Sequence, residues 1–126
     1  MLQLGVLDQS PVASNSNPVE AMKNTITLAR AADRLGFSRY WVAEHHSTPG
    51  LAGSSPEVLA AAIAAQTDRI RVGSGGVLLP HYSPYKVAEN FRVLEALRIQ
   101  RLQRQGGRRA GGRFFLCPFH QRSGRT

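Results

Sequence analysis

Hydrophobic and polar positions along this chain fall into blocks that change period. LQLGVL, residues 2–7, is a short apolar run of strand length, closed by Asp8, Gln9, Ser10 and Pro11. From Asn17 the period becomes helical. In NPVEAMKNTITLARAADRLG the residues Val19, Met22, Ile26, Ala29 and Leu35 recur at mostly helical spacing and mark one apolar face. Asn17 suits the N-cap and Pro18 the first helical position; Glu20 can answer Asn17 as in a capping box, and Gly36 is the expected terminator. RYWVA, residues 39–43, predicts a second strand. Its helix starts at Ser55-Pro56-Glu57 and continues through VLAAAIAAQT, where alanine favours helix and allows close packing on a sheet. In RIRVGSGGVLLP the segment IRV predicts a third strand, and a third helix starts at Ser83-Pro84 and runs through YKVAENFRVLEAL.

The order β-α-β-α-β-α predicts an α/β fold with a parallel sheet and right-handed crossovers. In such folds the chemistry gathers at the carboxyl ends of the strands. DQSP, EHH, and SGG followed by LLPHYSP all fall there, so three polar or glycine-rich segments converge on one rim. Adjacent strand residues point to opposite faces, so His45 and His46 cannot both enter one site, whereas Glu44 and His46 share a face. Two ligands without a third are weak grounds for a metal, and no metal site is expected. A rim histidine can serve as a general base near neutral pH; hydrogen-bonded loop histidines are the plainer alternative. Gly73-Ser74-Gly75-Gly76 allows close approach of backbone to a planar ligand, but it lacks the spacing of a dinucleotide phosphate loop and also reads as a tight turn. His81 and Tyr82 belong either to a pocket lining or to the packing at the start of the third helix.

Composition alters this picture at one place. The chain has 126 residues, is 42% hydrophobic and carries a net charge of +8. Residues 1–97 hold two lysines and six arginines against eight acids, a neutral body; residues 98–126 hold eight arginines and no acid. No apolar run reaches bilayer-spanning length, and no secretory leader pattern is present. The single cysteine, Cys117, excludes an internal disulfide and fits a cytoplasmic location.

LGVLDQSP, YWVAEHH and SSPEVLAAAIAAQTDRIRVGSGGVLLPHYSPYKVAENF, taken together, resemble the bacterial luciferase-like flavin-dependent monooxygenases over about residues 2–97. The resemblance implies that these are the first three units of a TIM (β/α)8 barrel, truncated here. It further implies reduced FMN supplied by a separate flavin reductase, O2 as co-substrate, and a flavin C4a-peroxide that oxidises a small organic substrate, without a metal. On the matching positions His45 would be the acid/base residue, with Glu44 orienting it or the pocket. Ser74, Gly75 and Gly76 would lie against the flavin, the Gly75–Gly76 bond being an expected non-prolyl cis peptide. His46, His81 and Tyr82 would border the substrate pocket. A homodimer is left open for a full-length relative.

The pattern departs from the family after the third helix. A Gly-Arg loop and a fourth strand resembling RIDLGIG are expected there, but the chain reads RIQRLQRQGGRRAGGRFFLCPFHQRSGRT. Residues 98–126 are therefore read as an Arg/Gly-rich, disordered, out-of-frame tail behind a 1–97 barrel fragment. A catalytically inactive pseudogene or frameshift product is the alternative to the enzyme. The remaining reading is a polyanion-binding tail, in which Phe114, Phe115 and Phe119 would stack on RNA bases; nucleic acid is otherwise not an expected partner.

Overall fold

The computed structural model describes residues 2–104. Three strands, β1 (Gly5–Asp8), β2 (Arg39–Val42) and β3 (Arg71–Ser74), alternate with three helices, α1 (Pro18–Arg34), α2 (Pro56–Ala64) and α3 (Pro84–Arg104), and a 3-10 turn covers Leu79–His81. The strands form one parallel sheet in the order β1-β2-β3. Gly5, Arg39 and Arg71 are in register at one end, and Asp8, Val42 and Ser74 at the other. The expected β/α units are thus present. The chain order matches the sheet order because each short crossover returns to the neighbouring position.

Each helix opens on a proline, Pro18, Pro56 or Pro84, whose missing N–H removes a donor that the first turn could not satisfy. The Asn17 carboxamide oxygen accepts from Val19 N and Glu20 N at 3.0 and 3.1 Å. Glu20 does not close a capping box; it pairs instead with Lys23 at 2.7 Å, one turn along an exposed surface. Gly36 ends α1 in the left-handed region at φ 80°, and Phe37 N reaches back to Ala32 O at 3.0 Å. α3 continues to Arg104, past the boundary expected at residue 97. Residues 105–126, and with them the expected disordered tail and its phenylalanines, lie outside the described residues.

The buried face of α1 is rotated from the one its large residues suggest. Ala21, Thr25, Ala29, Ala32 and Asp33 are buried, whereas Val19 and Leu35 are 64% and 76% exposed. Small side chains let the helix lie close on the sheet, so proximity rather than hydrophobic bulk selects the face. The core lies between sheet and helices: Tyr40, Val42, Ile70 and Val72 meet Ala29, Leu59, Ala60, Ile63, Val87 and Phe91. Alternation sends Leu7 and Trp41 to the opposite face of the sheet, where Leu7 is 63% exposed. Among the described residues no helix is long and apolar enough to cross a membrane.

Asp33 ties the end of α1 to the start of β3. Its carboxylate accepts backbone N–H groups from Asp68, Arg69 and Ile70 at 2.7, 3.0 and 2.7 Å. Burial pushes its pKa up, but these three bonds and the Arg69 charge outweigh that and hold it below the ordinary value of 3.8. Asp33→Asn is expected to cost about 3 kcal/mol at neutral pH, the order of a buried charged acceptor lost to several donors. A carboxyl more acidic folded than unfolded contributes above the unfolded pKa, and that contribution is lost as pH falls through the folded one. The gap in urea midpoint between variant and wild type should therefore narrow from pH 7 to about pH 2.5. An unchanged gap would show that the charge plays no part.

Candidate active site

The carboxyl ends of the three strands are drawn together by backbone bonds between their loops. Ala43 N donates to Asp8 O at 3.0 Å and Gly75 N to Val42 O at 2.8 Å, extending the sheet ladders past the strands. The segment after β2 folds back, with His45 N on Gly53 O at 2.8 Å and Ala52 N on Ser10 O at 2.9 Å. These bonds enclose a cleft of about 410 Å³ lined by Leu7 of β1 and Gln9 just after it, by Ala43, Glu44 and His45, and by residues 75–80. Its size is within the range of small-molecule sites and its walls are mainly apolar. DQSP, EHH and SGG do converge there.

His45 lines the cleft. Its Nε2 is closed off from solvent and has no hydrogen-bond partner among the described residues. A buried nitrogen without a partner costs on the order of 1–3 kcal/mol, so its retention marks a functional atom more readily than a structural one. Glu44 is positioned differently. Its side chain is 1% exposed, accepts from His46 Nε2 at 2.7 Å, and does not bond His45. It also accepts Leu78 N–H at 2.9 Å. Burial first, then the hydrogen bond to Glu44 and its charge, then the Glu57 charge, push the Tyr82 pKa up to about 12. Through these bonds Glu44 joins the rim after β2 to the segment after β3.

The other expected positions divide. His46, His81 and Tyr82 gather around Glu44 rather than on the cleft wall, with the His46 and His81 rings 4.9 Å apart. Ser74 is fully buried on the helix side of the sheet, and its hydroxyl bonds Gly76 O instead of facing the cleft. Gly75 and Gly76 do line the cleft. A Cβ on Gly75 would come within 3.3 Å of Leu7 Cδ1, whereas one on Gly76 would meet nothing within 4 Å. The expected cis bond between them is absent, since no peptide among the described residues is cis. Trans is the default by several kcal/mol. Here it already satisfies the local polar groups: Gly75 N is bonded to Val42 O, and Gly76 N lies 3.3 Å from Ser74 Oγ.

Residues 2–103 match the family described as Luciferase-like monooxygenase. The chain belongs to the luciferase-like monooxygenase family. It is 61% identical over 112 residues to the uncharacterised protein YwcH of Bacillus subtilis (strain 168), an alignment spanning 89% of this chain and 34% of that protein. It is 46% identical over 112 residues to the N-acetyl-S-alkylcysteine monooxygenase of the same organism, again 89% of this chain and 34% of the relative. The chain thus spans about a third of the length of these curated relatives. Among solved structures, apo-MsnO8 superposes with a TM-score of 0.75 at 54% identity, covering 78% of this chain and 30% of that one. The oxygenating constituent of 3,6-diketocamphane monooxygenase from Pseudomonas putida, solved with FMN, superposes with a TM-score of 0.71 at 27% identity, covering 77% and 27%. The three parallel β/α units are the part of the family fold that this chain describes.

The lining of the cleft suits a flat, mainly apolar group better than an anion. Leu7, Val77, Leu78, Leu79 and Pro80 supply apolar walls, Gly75 leaves room against Leu7, and the His45 imidazole adds an unspent nitrogen. No lysine or arginine is among the described lining residues. The rim segments named from the sequence include Leu78, Leu79 and Pro80 but leave out Leu7 and Val77. The alternation of Val6 and Leu7 is the signal that could have found one of them, because it sends Leu7 to the face away from the helices.

Proposed function

We propose that this chain forms the flavin-facing part of a monooxygenase that uses reduced FMN and O2 on a small uncharged organic substrate. The observation that carries this reading is the unpartnered, buried His45 Nε2 on an apolar cleft beside Gly75. Reduced FMN would supply the electrons that split O2, one oxygen atom entering the substrate and the other leaving as water. The chain's own residues do the rest. Leu7, Gly75 and the 77–80 segment exclude water from the ring face, and Glu44 holds the rim in place. His45 Nε2 takes or returns a proton at the reacting centre, a role worth about 10²–10⁴-fold in rate.

The first test is a titration of the full chain with FMN and riboflavin, followed by quenching of flavin fluorescence. Sub-millimolar binding is expected, more favourable than about −4 kcal/mol. The two flavins should bind alike, because no lysine or arginine is among the described residues that line the cleft to hold a phosphate. Gly75→Ala should weaken both about tenfold by pushing Leu7 into the ring site, while Gly76→Ala should leave them unchanged. Absence of quenching at millimolar flavin would overturn the reading. The second reading, a remnant without catalysis, is favoured by the exposure of Leu7 (63%) and Leu79 (51%) on what should be a closed wall. The same titration separates the two.

A further inference from the structure

Three described residues of the cleft wall carry hydrogen-bonding side chains: Gln9, Glu44 and His45. Glu44 is committed to His46, Leu78 and Tyr82. His45 is the proton-transfer group of the reading above. The Gln9 carboxamide is solvent-exposed in the cleft and has no partner among the described residues.

Its backbone is nevertheless clamped on both sides. Asp8 and Ser10 are buried, at 5% and 1% exposure. Asp8 Oδ1 accepts Ser10 N–H at 2.7 Å, and Asp8 Oδ2 accepts the Tyr40 hydroxyl at 2.7 Å. Ser10 Oγ and Thr25 Oγ1 are 2.9 Å apart, and Ser10 O accepts Ala52 N–H at 2.9 Å. Ser10 sits at φ 51°, a left-handed conformation that a residue with a Cβ adopts only when its surroundings enforce it. This network leaves Gln9 projecting from a rigid turn, opposite the Gly75–Pro80 wall of the cleft. An exposed glutamine would need no such support. A recognition group does, because a side chain on a fixed backbone loses less freedom when it binds.

A carboxamide is uncharged and offers one acceptor and one donor side by side in a plane. Its complement is an edge with adjacent N–H and C=O groups. We propose that Gln9 is a ligand-recognition residue of this cleft that reads an uncharged imide edge, such as that of an isoalloxazine ring. The proposal rests on the flavin reading and adds to it the residue that selects the ring's polar edge.

The test is a two-by-two titration of the full chain. Riboflavin and its N3-methyl derivative, in which the imide N–H is blocked, are each bound to wild type and to Gln9→Leu. Wild type should prefer riboflavin by about fivefold, the worth of one net hydrogen bond. Gln9→Leu should lose that factor for riboflavin and should no longer distinguish the two compounds. Gln9→Glu, with its acceptor kept and its donor removed, should fall between them. The melting temperature of Gln9→Leu should match wild type, because the side chain it removes is exposed and makes no hydrogen bond among the described residues. If Gln9→Leu binds riboflavin as wild type does, or still discriminates fivefold, Gln9 does not read the edge and the flavin reading survives. If wild type binds neither compound, the flavin reading falls and this proposal falls with it.

Discussion

Glu44→Ala is expected to destabilise the protein by about 3 kcal/mol and to uncouple the two rims of the cleft. The magnitude is that of a fully buried charged acceptor whose partners are left behind: the Leu78 N–H, His46 Nε2 and the Tyr82 hydroxyl. Two readouts separate this from general loosening. Hydrogen exchange at Leu78 should accelerate more than exchange at Val72 in the middle of β3. Tyrosinate absorbance should show the Tyr82 pKa moving down from about 12 toward 10, stopping short because burial, its largest cause, remains. Tyr40, raised by burial and by Asp8, should not follow. A variant with wild-type urea midpoint and an unmoved Tyr82 would remove Glu44 from this role.

His45→Leu is expected to act in opposite directions on stability and on chemistry. Nε2 has no partner among the described residues, so exchanging the imidazole for a similar apolar volume releases a desolvated nitrogen. Stability should rise by about 1 kcal/mol, the lower end of the cost of an unsatisfied buried group. Oxygenated product formed per reduced FMN consumed should fall about 10²–10⁴-fold, the usual contribution of a positioned acid/base group. Such opposed effects are characteristic of residues kept for function at a cost to the fold. A loss of stability would show that the imidazole is a packing element. Unchanged product yield in a more stable variant would show that the proton passes elsewhere.

Much of the fold and some of the site were legible in the chain, and the division follows the range of each signal. Asn17, Pro18 and Gly36 marked the limits of α1 because capping and φ restrictions act within a few residues. The alternation of short apolar runs with helical blocks specified a parallel sheet, and that topology placed EHH, DQSP and SGG on one rim. What the sequence left open was decided by packing and by hydrogen bonds, some local and some between distant segments. The buried face of α1 followed the small residues that fit the sheet rather than its largest side chains. Glu44 went to His46 and, across 34 positions, to Leu78 N–H, which sequence spacing does not encode. Ser74 turned to the helix side, and the Gly75–Gly76 bond stayed trans where local hydrogen bonds were already satisfied.

By itself, then, the sequence determined the units, their order, the family and the rim on which the cleft opens. The tertiary structure alone decided which polar groups on that rim are spent and which are free. It committed Glu44, left His45 Nε2 without a partner among the described residues and held Gln9 on a rigid turn. The physical reason is that composition and period report local conformational preference, while the satisfaction of a buried polar group depends on whichever donor the packed fold brings within about 3 Å.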